Sequence, residues 1–88
     1  MLPETKLETL KRLAFVAGHL EGVRKMVEND TYCVDVLKQT FAVRRAIEKL
    51  EGLLLEGHIR SCVIEDIKEG REDVAINELI DLFKVSNQ

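Results

Sequence analysis

Three side chains of this 88-residue chain have the types and spacing for metal chemistry: Cys33, His58 and Cys62. His58 and Cys62 stand four apart, which puts both on one face of a helix. An i, i+4 pair of soft donors is a good partial site for a transition metal. Cys33 is the only other cysteine. A free cysteine taken singly is more often a small buried hydrophobe than a ligand, so the question is whether the three can meet. Two thiolates and an imidazole form a soft, three-coordinate set that suits Cu(I). Zinc would want a fourth ligand or a water, and nickel or cobalt more nitrogen and oxygen donors. His19 is solitary among helix-packing residues and reads as a surface or interface histidine.

The elements that must position these residues are helical. Pro3 stands before Thr5, and Thr5 with Glu8 has the form of a T-x-x-E capping box. Leu10, Leu13, Ala17, Leu20, Val23 and Val27 follow at helical spacing. Gly18 and Gly22, four apart, would let another helix approach that face. Turn formers gather at Asn29 and Asp30. Asp30 or Thr31 can then cap a longer helix whose apolar residues include Val34, Leu37, Phe41, Ile47, Leu50, Leu54 and Ile59. That helix is expected to continue through Cys62 toward Ile67 and stop at Gly70, after Lys68 in its last turn. A short third helix is expected over residues 72–84, ahead of a frayed VSNQ tail.

Helix length then constrains the ligands. On an unbroken helix Cys33 and His58 are 25 positions apart, roughly 37 Å at 1.5 Å per residue. They cannot meet within one chain. With two copies of the helix antiparallel about a two-fold axis near Ala46 and Ile47, Cys33 of one lies opposite Arg60 of the other, between His58 and Cys62. The set closes across a dimer, twice.

Composition agrees. The length supports a single domain spanning residues 1–88. Apolar residues make up 45 %, more than a lone small helical chain can hide, so a dimer or larger assembly is expected. No apolar run approaches the roughly 20 residues that cross a membrane. The N-terminal residues MLPETKLETLKR contain no signal-peptide apolar region, so a cytoplasmic protein is expected. Cysteines in a reducing compartment read as metal or redox thiols. The net charge of −3 argues mildly against a general polyanion binder. No oxyanion element or third orienting group accompanies His58 and Cys33, so neither an enzyme nor a small-molecule substrate is expected.

The segments DTYCVDVLKQ (30–39) and LLLEGHIRSCV (53–63) closely resemble the copper-sensing repressors of the CsoR family. The likeness extends through RLAFVAGHLEGVRKMVEND and VAINELIDLF. The family also holds nickel/cobalt, formaldehyde and persulfide sensors, and the copper pattern fits best. Persulfide sensors lack the histidine, nickel/cobalt sensors replace the second cysteine, and formaldehyde sensors lack a cysteine there. The resemblance implies an all-α fold of three helices per chain, an antiparallel four-helix-bundle dimer, and a homotetramer of dimers. It implies Cu(I) ligation by Cys33, His58 and Cys62 across subunits, with Tyr32 and Glu78 in hydrogen-bonded support of the histidine. It also implies operator DNA of copper-resistance genes as partner. Arg12 and Lys49 match positions that are basic and DNA-linked, and Lys11, Arg44 and Arg45 can add to that patch. Where relatives are commonly basic, this chain has Ala14, Phe15 and Glu21, which implies weaker DNA binding. The rival expectation is a thiol- or persulfide-reactive sensor, or a metal-binding protein, that does not bind DNA.

Overall fold

Proline carries the fixed φ of a first helical residue and no N–H to leave unpaired. In the computed structural model, which describes residues Met1–Gln88, the first helix (α1, Pro3–Glu28) accordingly starts on Pro3, with Leu2 as its cap. The capping box expected at Thr5 does not form. Thr5 is already inside the helix and is buried. Its side chain is claimed by packing against the second helix, where Gly57 lets it come close.

The connection to the second helix differs from expectation for a related reason. Asp30 adopts a left-handed φ of 54°. Its N–H donates to the Val27 carbonyl (3.1 Å), and the Thr31 N–H donates to that of Met26 (2.9 Å). This is the paired hydrogen bonding of a Schellman stop. Asp30 and Thr31 are thus used in ending α1, and the cap of the next helix falls to Tyr32.

That next helix is α2, Cys33–His58. It passes without a break into a π-helical turn, Ile59–Val63, and then α3, Ile64–Lys68. The expected continuity through Cys62 therefore holds, with a widened turn that the sequence pattern did not announce. The rod spans most of the molecule's 56 Å long dimension. It ends at Gly70, with φ 77°. The Gly70 and Arg71 N–H groups donate to the Ile67 and Asp66 carbonyls, a second Schellman stop. Arg71 also bonds the Asp66 and Glu69 side chains.

The last helix, α4, covers Glu72–Ser86, two residues beyond expectation. The Ser86 hydroxyl and the Asn87 side-chain amide both donate to the Phe83 carbonyl (2.9 and 2.8 Å) at its C-terminal end. No helix is long and apolar enough to cross a membrane.

Little of the apolar surface is covered within one chain. Val23, Val43, Leu50, Val63 and Ala75 form the buried apolar set. Leu10, Phe15, Leu20, Leu37, Phe41, Ile80 and Phe83 stay exposed. The radius of gyration is 17.3 Å, against about 12 Å for a compact chain of this length. Gly18 and Gly22 have nothing near them, so the close helix approach expected there is absent within the chain. It occurs at Gly57 instead.

The two left-handed stops differ in residue, and that difference is testable. In urea unfolding at fixed protein concentration, Gly70→Ala should lower stability by about 1–2 kcal/mol, and Asp30→Gly should raise it by up to about 1 kcal/mol.

Candidate functional site

His58 ends α2 and Cys62 lies in the π-helical turn that follows. Such turns replace i→i+4 bonding by i→i+5 and are frequent at functional sites. The Ser61 hydroxyl donates to the Gly57 carbonyl (2.7 Å) and lies 3.7 Å from the Cys62 sulfur. It fastens the turn that carries both donors. From α4, Glu78 brings Oε2 to 3.6 Å from Nε2 of His58. At that separation the carboxylate is a close charge partner of the ring and not a hydrogen-bonded one. Cys62 is partly buried, as is His58.

Cys33 is exposed and is the first residue of α2. With α2 unbroken, it stands roughly 37 Å from His58, and one chain contains no cluster of three metal-binding groups. Tyr32 shares Cys33's end of the rod. Its side chain is exposed, and its carbonyl accepts from the Asp35 and Val36 amides. The structure thus brings Glu78 beside His58, carries Cys62 in the turn that follows, and leaves Cys33 and Tyr32 at the opposite end.

A second feature lies between α1 and α2. Lys11, Arg12, Arg45 and Lys49 line an open groove of about 430 Å³ with Phe15, Val16, Ala42 and Ala46. No acidic residue lines it, although Glu8 reaches Arg12 at 3.5 Å. Four of the five expected basic residues therefore converge. Arg44 does not. One position along the helix from Arg45, it places its guanidinium 5.2 Å from the Phe41 ring centre.

Glu21 points its charge elsewhere. Arg24 bonds its carboxylate at 2.7 Å and holds it below the usual carboxylate range. Arg24 also bonds Glu28. His19 joins α1 to α2 through Gln39 (2.8 Å) and meets Phe15 edge-on at 6.3 Å, at the surface of the chain.

Sequence reasoning missed the π-helical turn, Ser61 and the Thr5–Gly57 contact. The only trace of the last in the sequence is two threonines one turn apart, Thr5 and Thr9, and a glycine immediately before His58.

The model of the metal-sensitive transcriptional repressor family matches residues 5–85. The chain belongs to this family. Among its relatives, the copper-sensing transcriptional repressor CsoR of Bacillus subtilis is 44 % identical over 79 residues, covering 90 % of this chain and 78 % of that one. The CsoR of Mycobacterium ulcerans is 41 % identical over 83 residues, covering 94 % of this chain and 71 % of the relative. The crystal structure of CsoR with Cu(I) from Geobacillus thermodenitrificans superposes with a TM-score of 0.93 at 35 % identity, over 100 % of this chain and 92 % of that one. The family resemblance read from the Tyr-Cys and His-x-x-x-Cys segments is thereby borne out, as is the all-helical fold.

The exposure of the His58–Glu78 pair separates its structural from its chemical role. Glu78 is half exposed, so Glu78→Ala should change unfolding free energy by less than about 1 kcal/mol. If its work is to orient the imidazole, the same variant should lose about 10- to 100-fold in Cu(I) affinity, measured by chelator competition.

Proposed function

We propose that the chain is a Cu(I)-responsive transcriptional repressor whose metal is held between protomers, by Cys33 of one and by His58 and Cys62 of the partner subunit. The unbroken α2 helix carries this reading, because it separates one soft donor from the other two by far more than a metal site can span. Each chain then has half a site at each end. An antiparallel pairing about Ala46 and Ile47 brings the halves together twice and covers apolar residues that one chain leaves open.

The donor set fits the metal. Two thiolates and an imidazole satisfy a soft, low-coordinate ion, while zinc would lack its fourth ligand. Glu78 lies beside the imidazole, and Tyr32, travelling with Cys33 of the partner subunit, would arrive on the same histidine. Bound Cu(I) would supply strong bonds that tie the two protomers' helix ends together, with release of the thiol protons. Relatives that are copper-sensing repressors, and a closely superposing relative solved with Cu(I), support the choice of metal.

The cation groove supplies the second half of the function. Lys11, Arg12, Arg45 and Lys49, with no acid among the lining residues, suit the phosphates of operator DNA, and two-fold repetition would present the groove at regular intervals. Dimers pairing into a homotetramer would place several such grooves on one assembly, acting as a cytoplasmic repressor of copper-resistance genes. Metal and DNA then act on one equilibrium, and each must weaken the other's binding by the same factor.

An anaerobic Cu(I) titration followed by anisotropy of labelled operator DNA tests this. Saturating Cu(I) should lower DNA affinity by about 5- to 150-fold, and Cys33→Ala should abolish the response. Tight Cu(I) binding with unchanged DNA affinity would overturn the repressor reading. A thiol-reactive sensor would need no imidazole, so a response that survives His58→Ala would favour it instead.

A further inference from the structure

Gly57 is the residue before His58, and among the five glycines it alone has a neighbour where a side chain would begin. A Cβ built there would lie 2.6 Å from both Cγ2 and Oγ1 of Thr5 and 3.1 Å from its Cβ. Only the absence of a side chain permits the first turn of α1 to sit on the end of α2. Thr5, Thr9 and Gly57 belong to the small buried set of the chain, and the Thr9 hydroxyl is buried without a partner. Burial along this seam thus continues to the next turn of α1 at Thr9. The Gly57 peptide is held from the other side as well, by the Ser61 hydroxyl on its carbonyl.

This seam joins the two functional features. On one side it touches the peptide that carries His58 and opens the π-helical turn bearing Cys62. On the other it holds the start of a rigid helix whose Lys11 and Arg12 lie about 9–11 Å further on. Those two cations face Arg45 and Lys49 of α2 across the groove. With so little space between them, a shift of the Gly57 peptide would have to displace Thr5 and with it the start of α1.

We propose that Thr5 and Gly57 form the contact that transmits a change at the His58–Cys62 turn to α1, with Gly57 as a positioning residue for the coupling between metal and DNA. The inference rests on the copper-repressor reading and names where in the chain its coupling passes. It acts through helix pose, so it predicts a steric signature: a methyl at Gly57 should be tolerated once Thr5 is trimmed.

The test compares full-length wild type, Gly57→Ala, Thr5→Ala and the double variant. For each, operator affinity is measured with and without saturating Cu(I), and the ratio is taken, with circular dichroism as the check on folding. Gly57→Ala should bring the ratio to within about threefold of unity, while the double variant should return to within about threefold of wild type. The double variant keeps the 3.1 Å contact to Cβ and loses the two at 2.6 Å. Thr5→Ala alone should keep DNA binding and lose part of the ratio. If Gly57→Ala does not fold, a folded double variant with its ratio restored supports the contact, and an unfolded one overturns it. A folded Gly57→Ala with the wild-type ratio also overturns it. A wild-type ratio of one would overturn the repressor reading and this inference together, whereas a large wild-type ratio that Gly57→Ala retains overturns the inference alone.

Discussion

An α-helix advances a fixed distance per residue, and nothing in the run from Cys33 to His58 interrupts it. That rigidity sets one soft donor at one end of the rod and two at the other. For the proposed copper site, it rules out an intrachain chelate and would make two half-sites depend on a second copy. The same extended shape explains the thin core. Only a few apolar side chains are buried, because the helices are laid out lengthwise and leave long faces open. A metal site and an apolar interface completed by one pairing would link sensing to assembly. The affinity of each for its partner then affects the other.

Local chemistry at the far end of α2 refines the half-site. The π-helical turn accommodates an extra residue where His58 and Cys62 must face one way, and Ser61 satisfies the Gly57 carbonyl. Glu78 reaches in from α4, so the last helix places one carboxylate beside the imidazole. Such a contact adds little to stability in an exposed pair, yet a neighbouring carboxylate strongly affects which imidazole nitrogen carries the proton.

Much of this was legible in the sequence because it depends on periodicity and spacing. Helix number, the continuity of the long helix, its stop at Gly70 and the separation of Cys33 from His58 all follow from patterns that act locally. The misreadings arise where tertiary contacts or a neighbouring motif took over a residue. Thr5 has the look of a cap but is buried against Gly57. Asp30 and Thr31 also look like caps, yet they are used in stopping the preceding helix, which leaves Tyr32 as the cap. Gly18 and Gly22 leave a face open that no helix of the same chain occupies, while the close approach within the chain falls at Gly57. Among the cations, adjacency in sequence concealed the divergence of Arg44 from Arg45, since consecutive helical residues point about 100° apart. The family likeness, borne by the Cys33 and His58–Cys62 segments, carried the choice of metal and partner beyond what spacing alone could reach.

The central claim is that the copper site is assembled from two chains, and complementation tests it most directly. Cys33→Ala protein is mixed with a His58→Ala/Cys62→Ala variant, exchanged through mild unfolding and refolding, and assayed for Cu(I) by anaerobic chelator competition. Neither parent has a complete set, but a mixed dimer has one, so random exchange should recover about a quarter of the wild-type high-affinity sites. Recovery of none after exchange is verified, or wild-type copper binding by the Cys33→Ala parent alone, would contradict a site shared between subunits.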